Sequence, residues 1–249
     1  LAPGAYTIMV TDANGCTVVE TYTITEPDVL GLTEDLSDYN GFGVSGNGLN
    51  DGSIDITVTG GTTAYTYSWT SPDGEIPDGQ EAQEDLTNLN AGTYTVLITD
   101  ANGCTFTDNW TITEPDELRI LEEIASHDDV LCFGENTGVI EVVVDQGSVA
   151  PYEYTITNSS GIEVERVTNQ TTISYEFDEL LADIYTVRVT DANGISKSID
   201  NIIITEPDLL EISDETISDF NGFGISCNGA ANGSIDITVT GGEEAYTYL

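Results

Sequence analysis

The sequence is poor in positive charge. Its 249 residues include four basic side chains, Arg119, Arg166, Arg188 and Lys197, against 45 acidic ones, for a net charge of −41. That is about one net negative charge for every six residues. Such a surface repels phosphate backbones and anionic headgroups, which excludes nucleic acid and anionic membrane surfaces as partners. A single lysine also excludes Lys–Asn isopeptide staples as a recurring device. The one histidine, His127, allows a His-based catalytic or metal site in one place at most, and is expected on the surface. No apolar run approaches the roughly 20 residues of a membrane-spanning helix, so no insertion into a bilayer is expected. There is no initiator methionine or secretion leader, and the run Tyr246-Thr247-Tyr248-Leu249 stops inside a strand pattern, so the sequence reads as a piece of a longer chain.

Catalytic signatures are missing as well. There is no P-loop, dinucleotide fingerprint or Cys-x-x-Cys pair. Serine and threonine abound, but without a general base in the pattern they read as sheet-face residues. A glycosidase would need two carboxylates about 5–10 Å apart in a cleft, whereas the acids here are spread over alternate strand positions. No enzyme is expected.

What the chain does contain is strand-forming material. Hydrophobic residues make up 39%, with abundant Val, Ile, Thr and Tyr, too many for a disordered acidic tail. It also repeats itself. Thr-Asp-Ala-Asn-Gly begins at Thr11, Thr99 and Thr190, spaced 88 and 91, and Glu-Pro-Asp recurs at 26–28, 114–116 and 206–208, spaced 88 and 92. Residues 36–67 and 217–248 share 23 identities in 32 positions, including an unchanged Gly52–Gly61 run that returns as Gly233–Gly242. Gly138-Val-Ile-Glu-Val-Val-Val is a diverged middle copy. The expected organisation is the end of one repeat (1–28), a full repeat (29–116), a diverged full repeat (117–208) and the start of another (209–249). Units of this size fold individually. Their Glu-Pro-Asp joints are too short for flexible linkers, so an elongated rod is expected.

Each repeat reads as all-β. Ile54, Ile56 and Val58 alternate with Ser53, Asp55, Thr57 and Thr59; Tyr65, Tyr67 and Trp69 alternate with Thr66, Ser68 and Thr70; Tyr94, Val96 and Ile98 follow the same rule. Six or seven such strands per repeat, separated by Gly, Asn, Asp and Pro turns, predict tandem Ig-like Greek-key β-sandwiches. Leu86-x-x-Leu89-x-x-Gly92-x-Tyr94 has the form of the tyrosine corner that closes the E–F connection of such sandwiches, with copies at Tyr6 and Tyr185. Trp69 falls on the C strand, where Ig-like cores hold a tryptophan. The Thr-Asp-Ala-Asn-Gly stretch then closes the F–G hairpin, its Asn-Gly pair supplying positive φ angles and its Asp bonding nearby amides.

The four cysteines fall into two classes. Cys16 and Cys104 end the hairpin motif, where the third copy has Ile195; Cys132 and Cys227 lie six residues before the first Gly of strand B, where the first full repeat has Gly46. Bridges within a repeat would leave both full repeats half-paired. Pairing each hairpin cysteine with the early cysteine of the following repeat leaves one intact bridge, Cys104–Cys132. Pairing each early cysteine with the hairpin cysteine of the next repeat makes Gly46 and Ile195 one pair lost together, and suits a topology with the A–B and F–G turns at opposite ends. Free thiols remain an alternative. Calcium is a further candidate, at Glu26, Asp28, Glu114, Asp116, Glu206 and Asp208 in the joints, although no EF-hand or comparable signature is present.

The run Cys227-Asn-Gly-Ala-Ala-Asn-Gly-Ser-Ile-Asp-Ile-Thr-Val-Thr-Gly-Gly, followed by Ala-Tyr-Thr-Tyr, resembles the SprB repeat of the very large mobile surface adhesins of gliding Bacteroidetes. So do Asp85-Leu-Thr-Asn-Leu-Asn-Ala-Gly-Thr-Tyr-Thr-Val96 and Thr99-Asp-Ala-Asn-Gly-Cys104. The resemblance extends over essentially the whole chain and is weakest in the middle repeat. It implies export by type IX secretion, display outside the cell as a filament, and partners that include neighbouring repeats, the gliding machinery and a substratum or polysaccharide reached through other regions. Stalk repeats of a surface adhesin are therefore the expected function. The alternative is a carbohydrate-binding or spacer array of another secreted protein, for which Trp110 is the aromatic residue to check.

Overall fold

The computed structural model describes residues 1–122, 127–147 and 149–249. The described residues form strands and turns only, and hold no helix long and apolar enough to cross a membrane. The chain divides into two compact units, Leu1–Pro115 and Asp116–Leu249.

The first unit opens with a hairpin of β1 (Gly4–Thr11) and β2 (Thr17–Ile24), and continues with a six-stranded sandwich. One sheet has the order β3 (Gly31–Leu36), β4 (Gly52–Thr59), β6 (Leu86–Leu89); the other has β5 (Thr66–Thr70), β7 (Gly92–Thr99), β8 (Thr105–Ile112). In Ig lettering these are A-B-E facing C-F-G, all pairs antiparallel. Alternation decides the faces. Ile54 and Ile56 from β4 meet Tyr94, Val96 and Ile98 from β7 in one core closed by Leu86, Leu89, Trp69, Trp110 and Ile112. Each fully buried aliphatic side chain stabilises the sandwich by about 1.5–3 kcal/mol of transfer free energy, before the entropy of ordering is subtracted.

The second unit repeats the scheme with one strand more. Its sheets are β13 (Ser174–Leu180), β10 (Gly138–Gln146), β9 (Arg119–Glu122) and β12 (Glu163–Gln170), β11 (Tyr152–Thr157), β14 (Asp183–Thr190), β15 (Ser196–Ile204). Here β12 is a C′ strand. The corresponding stretch of the first sandwich, 71–85, carries two prolines and two glycines and crosses as a loop. That loop still serves the free flank of β5, because the Trp69 amide donates to the Glu81 carbonyl at 2.9 Å. The two cores are filled differently. In the first, the Trp69 and Trp110 ring centroids lie 5.9 Å apart; in the second, Ile156 and Ile202 hold those positions and Tyr152, Tyr154, Tyr175 and Phe177 form a run of ring contacts at 6.1, 5.5 and 5.0 Å. The unit ends with the pair β16 (Glu211–Ile217) and β17 (Ile235–Thr240), which reproduces the A–B pairing of β3 and β4.

Candidate functional site

The recurring motifs gather at the two ends of each sandwich. At the end where the E strand passes to F, the Tyr94 ring is fully buried and its hydroxyl donates to the Asn90 carbonyl at 2.9 Å. The Asn90 amide oxygen and the Glu75 carbonyl lie 2.9 and 3.3 Å from the same hydroxyl. Tyr185 donates to the Leu181 carbonyl at 2.9 Å and Tyr6 to the Ala2 carbonyl at 2.7 Å. All three bonds span four residues. Burial holds the Tyr94 and Tyr185 phenols above their ordinary pKa.

The second corner keeps its bond although Asp183 replaces the glycine at position 92. In the first sandwich a Cβ on Gly92 would sit 2.5 Å from the Gly74 Cα, because the 71–85 loop passes directly over it. In the second, Asp183 sits beside Ser159, whose hydroxyl, followed by the Ile184 amide, holds the Asp183 carboxyl below its ordinary pKa.

At the opposite end lie the F–G turns. The Asp100 amide bonds the Cys104 carbonyl at 2.9 Å, and the Gly103 amide bonds the Asp100 carbonyl at 3.0 Å. One carboxylate oxygen of Asp100 accepts the Asn102 and Cys104 amides at 2.9 and 2.8 Å, and the other accepts the Thr62 amide at 2.9 Å. Burial opposes ionisation of Asp100, but the amides of Cys104, Thr62, Asn102 and Gly103 outweigh it and hold the carboxyl below its ordinary pKa. One expectation needs correction. Of the Asn-Gly pair only Gly103 takes a positive φ, 83°, because the loop has three residues, a type I turn closed by one left-handed glycine, where a two-residue turn would need two positive angles. Asp12 and Asp191 repeat the pattern, each accepting amides two and four residues on.

The cysteines are four exposed free thiols. Cys104 caps the F–G turn, beside the B–C turn that holds Thr62. Cys132 lies in the A–B turn of its sandwich, its carbonyl accepting the Glu135 amide at 3.1 Å. Trp110 has 9% of its surface exposed and pairs across the sheet with Tyr94, so it is a core residue and forms no external aromatic platform.

Two of the joint carboxylates, Glu114 and Glu206, are engaged with backbone amides. Glu114 accepts the Gly48 amide and Glu206 the Gly134 amide, each at 2.6 Å, while the Asp28 and Asp208 carbonyls accept the Gly61 and Gly242 amides at 2.8 and 2.7 Å. Among the described residues no three His, Cys, Asp or Glu side chains converge as a metal site. His127 lies 4.0 Å from Asp129, whose carboxylate accepts the Thr205 amide at 2.7 Å and is held below its ordinary pKa chiefly by that bond. These Glu–Gly bonds escape local sequence reading because 66 and 72 residues separate the partners. The available signal was the recurrence of both members at matching places in successive repeats.

Comparison with known proteins adds the family. The SprB repeat family matches at residues 44–74, 125–161 and 225–249, three places one repeat length apart. Three stretches of the chain match the SprB repeat. Each matched segment contains a whole B strand with the A–B and B–C connections on either side of it, and the first two run on through the C strand. Curated proteins give no match. Among solved structures, the chain is similar to a biofilm associated protein BSP domain (16% identity, TM-score 0.25), covering 65% of this chain and 28% of that one. It is also similar to titin domains A168–A170 (14%, TM-score 0.34, covering 82% and 75%). A two-domain fibronectin type III segment of chicken tenascin is a third (13%, TM-score 0.29, covering 68% and 98%).

Proposed function

We propose that this chain is a run of structural stalk repeats from a large secreted cell-surface adhesin, which serves surface attachment and gliding motility. The SprB family match at three successive places carries the reading. Its repeats, 29–116 and 117–208 with parts of two others, act mechanically: each two-sheet core resists unfolding, and dense like charge keeps neighbouring molecules soluble and apart. Support also comes from how the polar groups are used. Among the described residues every buried side-chain nitrogen or oxygen has a hydrogen-bond partner, and Asp100 and Asp129, both with lowered pKa, hold a turn and a strand end in place. Catalysis, nucleic acid and membrane insertion have no part in this reading. Neighbouring repeats are the direct partners, while type IX export, the gliding motor and the adhesive target act through other parts of the parent protein. Trp69 and Trp110 both lie in the core, which weighs against a carbohydrate-binding array.

Beads coated with antibody against this chain test the proposal on intact gliding cells. They should attach and be carried along the surface. Beads that fail to attach would refute surface display; beads that attach and stay still would refute the gliding role.

A further inference from the structure

In the second unit both flanks of one joint, Glu206-Pro207-Asp208, can be followed bond by bond. Before it, the Thr205 amide donates to Asp129 at 2.7 Å and the Thr205 carbonyl accepts the Val130 amide at 2.9 Å. The Glu206 carboxylate then accepts the Gly134 amide at 2.6 Å. After it, the Asp208 carbonyl accepts the Gly242 amide at 2.7 Å, and the B–C turn rests on the Leu209 carbonyl so closely that a Cβ on Gly241 would overlap it. Pro207 fixes φ between these contacts. From Thr205 to Leu209 the chain is therefore tied to the sandwich behind it and to the turn ahead of it.

The component parts recur in the first unit. Glu114 holds the Gly48 amide at 2.6 Å and Asn47 reaches the Pro115 carbonyl at 3.2 Å, while the Asp28 carbonyl takes the Gly61 amide at 2.8 Å. Gly48 and Gly134 adopt φ of 69° and 76°, and a Cβ on either would meet nothing within 4 Å. Backbone conformation rather than space selects glycine there: the left-handed residue aims its amide at the carboxylate. An amide-to-carboxylate bond is charge-assisted, and so stronger than a bond between neutral groups.

We propose that the glutamate of each Glu-Pro-Asp motif is a positioning residue that locks the A–B turn onto the outgoing chain, so that the joint is part of the fold rather than a linker. Tension on the outgoing chain then passes into the A–B turn as well as into the last strand. The lock also places Cys132, two residues before Gly134, beside the joint. This inference rests on the hydrogen bonds and holds whichever protein the repeats serve.

The test uses the full 249-residue chain with Glu206→Ala and Glu206→Gln, read by amide hydrogen exchange and by thermolysin cleavage before Leu209 and Leu210. The alanine variant should raise exchange at Gly134 by about tenfold or more, as loss of a hydrogen bond to a charged group does. Cleavage at the joint should quicken while exchange at Tyr185 and Val187 in the core stays unchanged. Glutamine, which keeps an acceptor oxygen, should restore most of the protection. An alanine variant within twofold of the unaltered chain, or a uniform rise through the core, would overturn the proposal. Should Glu206→Ala prevent folding, Glu114→Ala read at the Gly48 amide decides the same question.

Discussion

Replacing Tyr94 with Phe keeps the buried ring and removes one hydroxyl, which isolates what the corner bond contributes. The hydroxyl donates to the Asn90 carbonyl at 2.9 Å, and the Asn90 side chain and the Glu75 carbonyl also lie within hydrogen-bonding distance. Loss of the donated bond costs about 1 kcal/mol net, and the acceptors left facing an apolar ring edge add about 1 kcal/mol more. In a sandwich of this size, about 2 kcal/mol lowers the melting temperature by roughly 8–15 °C. The molecule provides its own probe: its only two tryptophans, Trp69 and Trp110, lie together in this one core. Urea unfolding followed by tryptophan fluorescence therefore reports on the first sandwich alone. The midpoint should fall while the slope stays unchanged, the sign of altered stability rather than altered denatured-state compactness. A midpoint shift worth less than about 0.5 kcal/mol would refute the reasoning. Tyr185→Phe, with the Leu181 carbonyl as its hydroxyl's partner, should cost about half as much by near-ultraviolet circular dichroism.

Other outcomes follow from the same structure. Gly60→Ala should cost at least about 3 kcal/mol, because its φ is 70° and the new Cβ would overlap the Val29 carbonyl; Gly103→Ala, at φ 83° with nothing within 4 Å, should cost only about 1–2 kcal/mol of backbone strain. Chemical denaturation of both variants checks the difference. Tyr154 and Tyr175 are pushed up to about 12, the first by burial and the second by the Glu165 carboxylate and burial. A phenol whose pKa is raised on folding stabilises the fold fully below its unfolded value of about 10, and loses that contribution as pH rises through the folded value. The second sandwich should accordingly unfold between about pH 10 and 12, with tyrosinate absorbance appearing alongside loss of strand signal, and Tyr154→Phe should move that transition upward. All four thiols should react with a disulfide reagent in the native chain without denaturant, since Cys16, Cys104, Cys132 and Cys227 are exposed and free.

Much of the fold was legible because it is locally written. The alternation at Ile54–Val58 and Tyr94–Ile98 orders the β4 and β7 faces, and the same parity places Trp110 opposite Tyr94, so its burial could have been read from pairing alone. The C′ strand was harder. Residues 71–85 and 158–173 connect the same two strands, and one forms a loop while the other forms β12; prolines and glycines mark the difference only once the strand order is known. The role of Asp100 was half legible: Asn-Gly suggested two positive φ angles, and the three-residue loop that Asp100 caps needs only one. Least visible were the joint contacts. Nothing local to Glu206 points to Gly134, and no composition rule shows that Gly60, Gly147 and Gly241 are required by the carbonyls of Val29, Glu117 and Leu209.

The most direct measurement for the central reading is immunolabelling of cells that make the parent protein, with antibody against residues 29–208, before and after permeabilisation. Structural repeats of a surface adhesin require full labelling of intact cells and no gain when the envelope is opened. Label that appears only after permeabilisation would contradict the account.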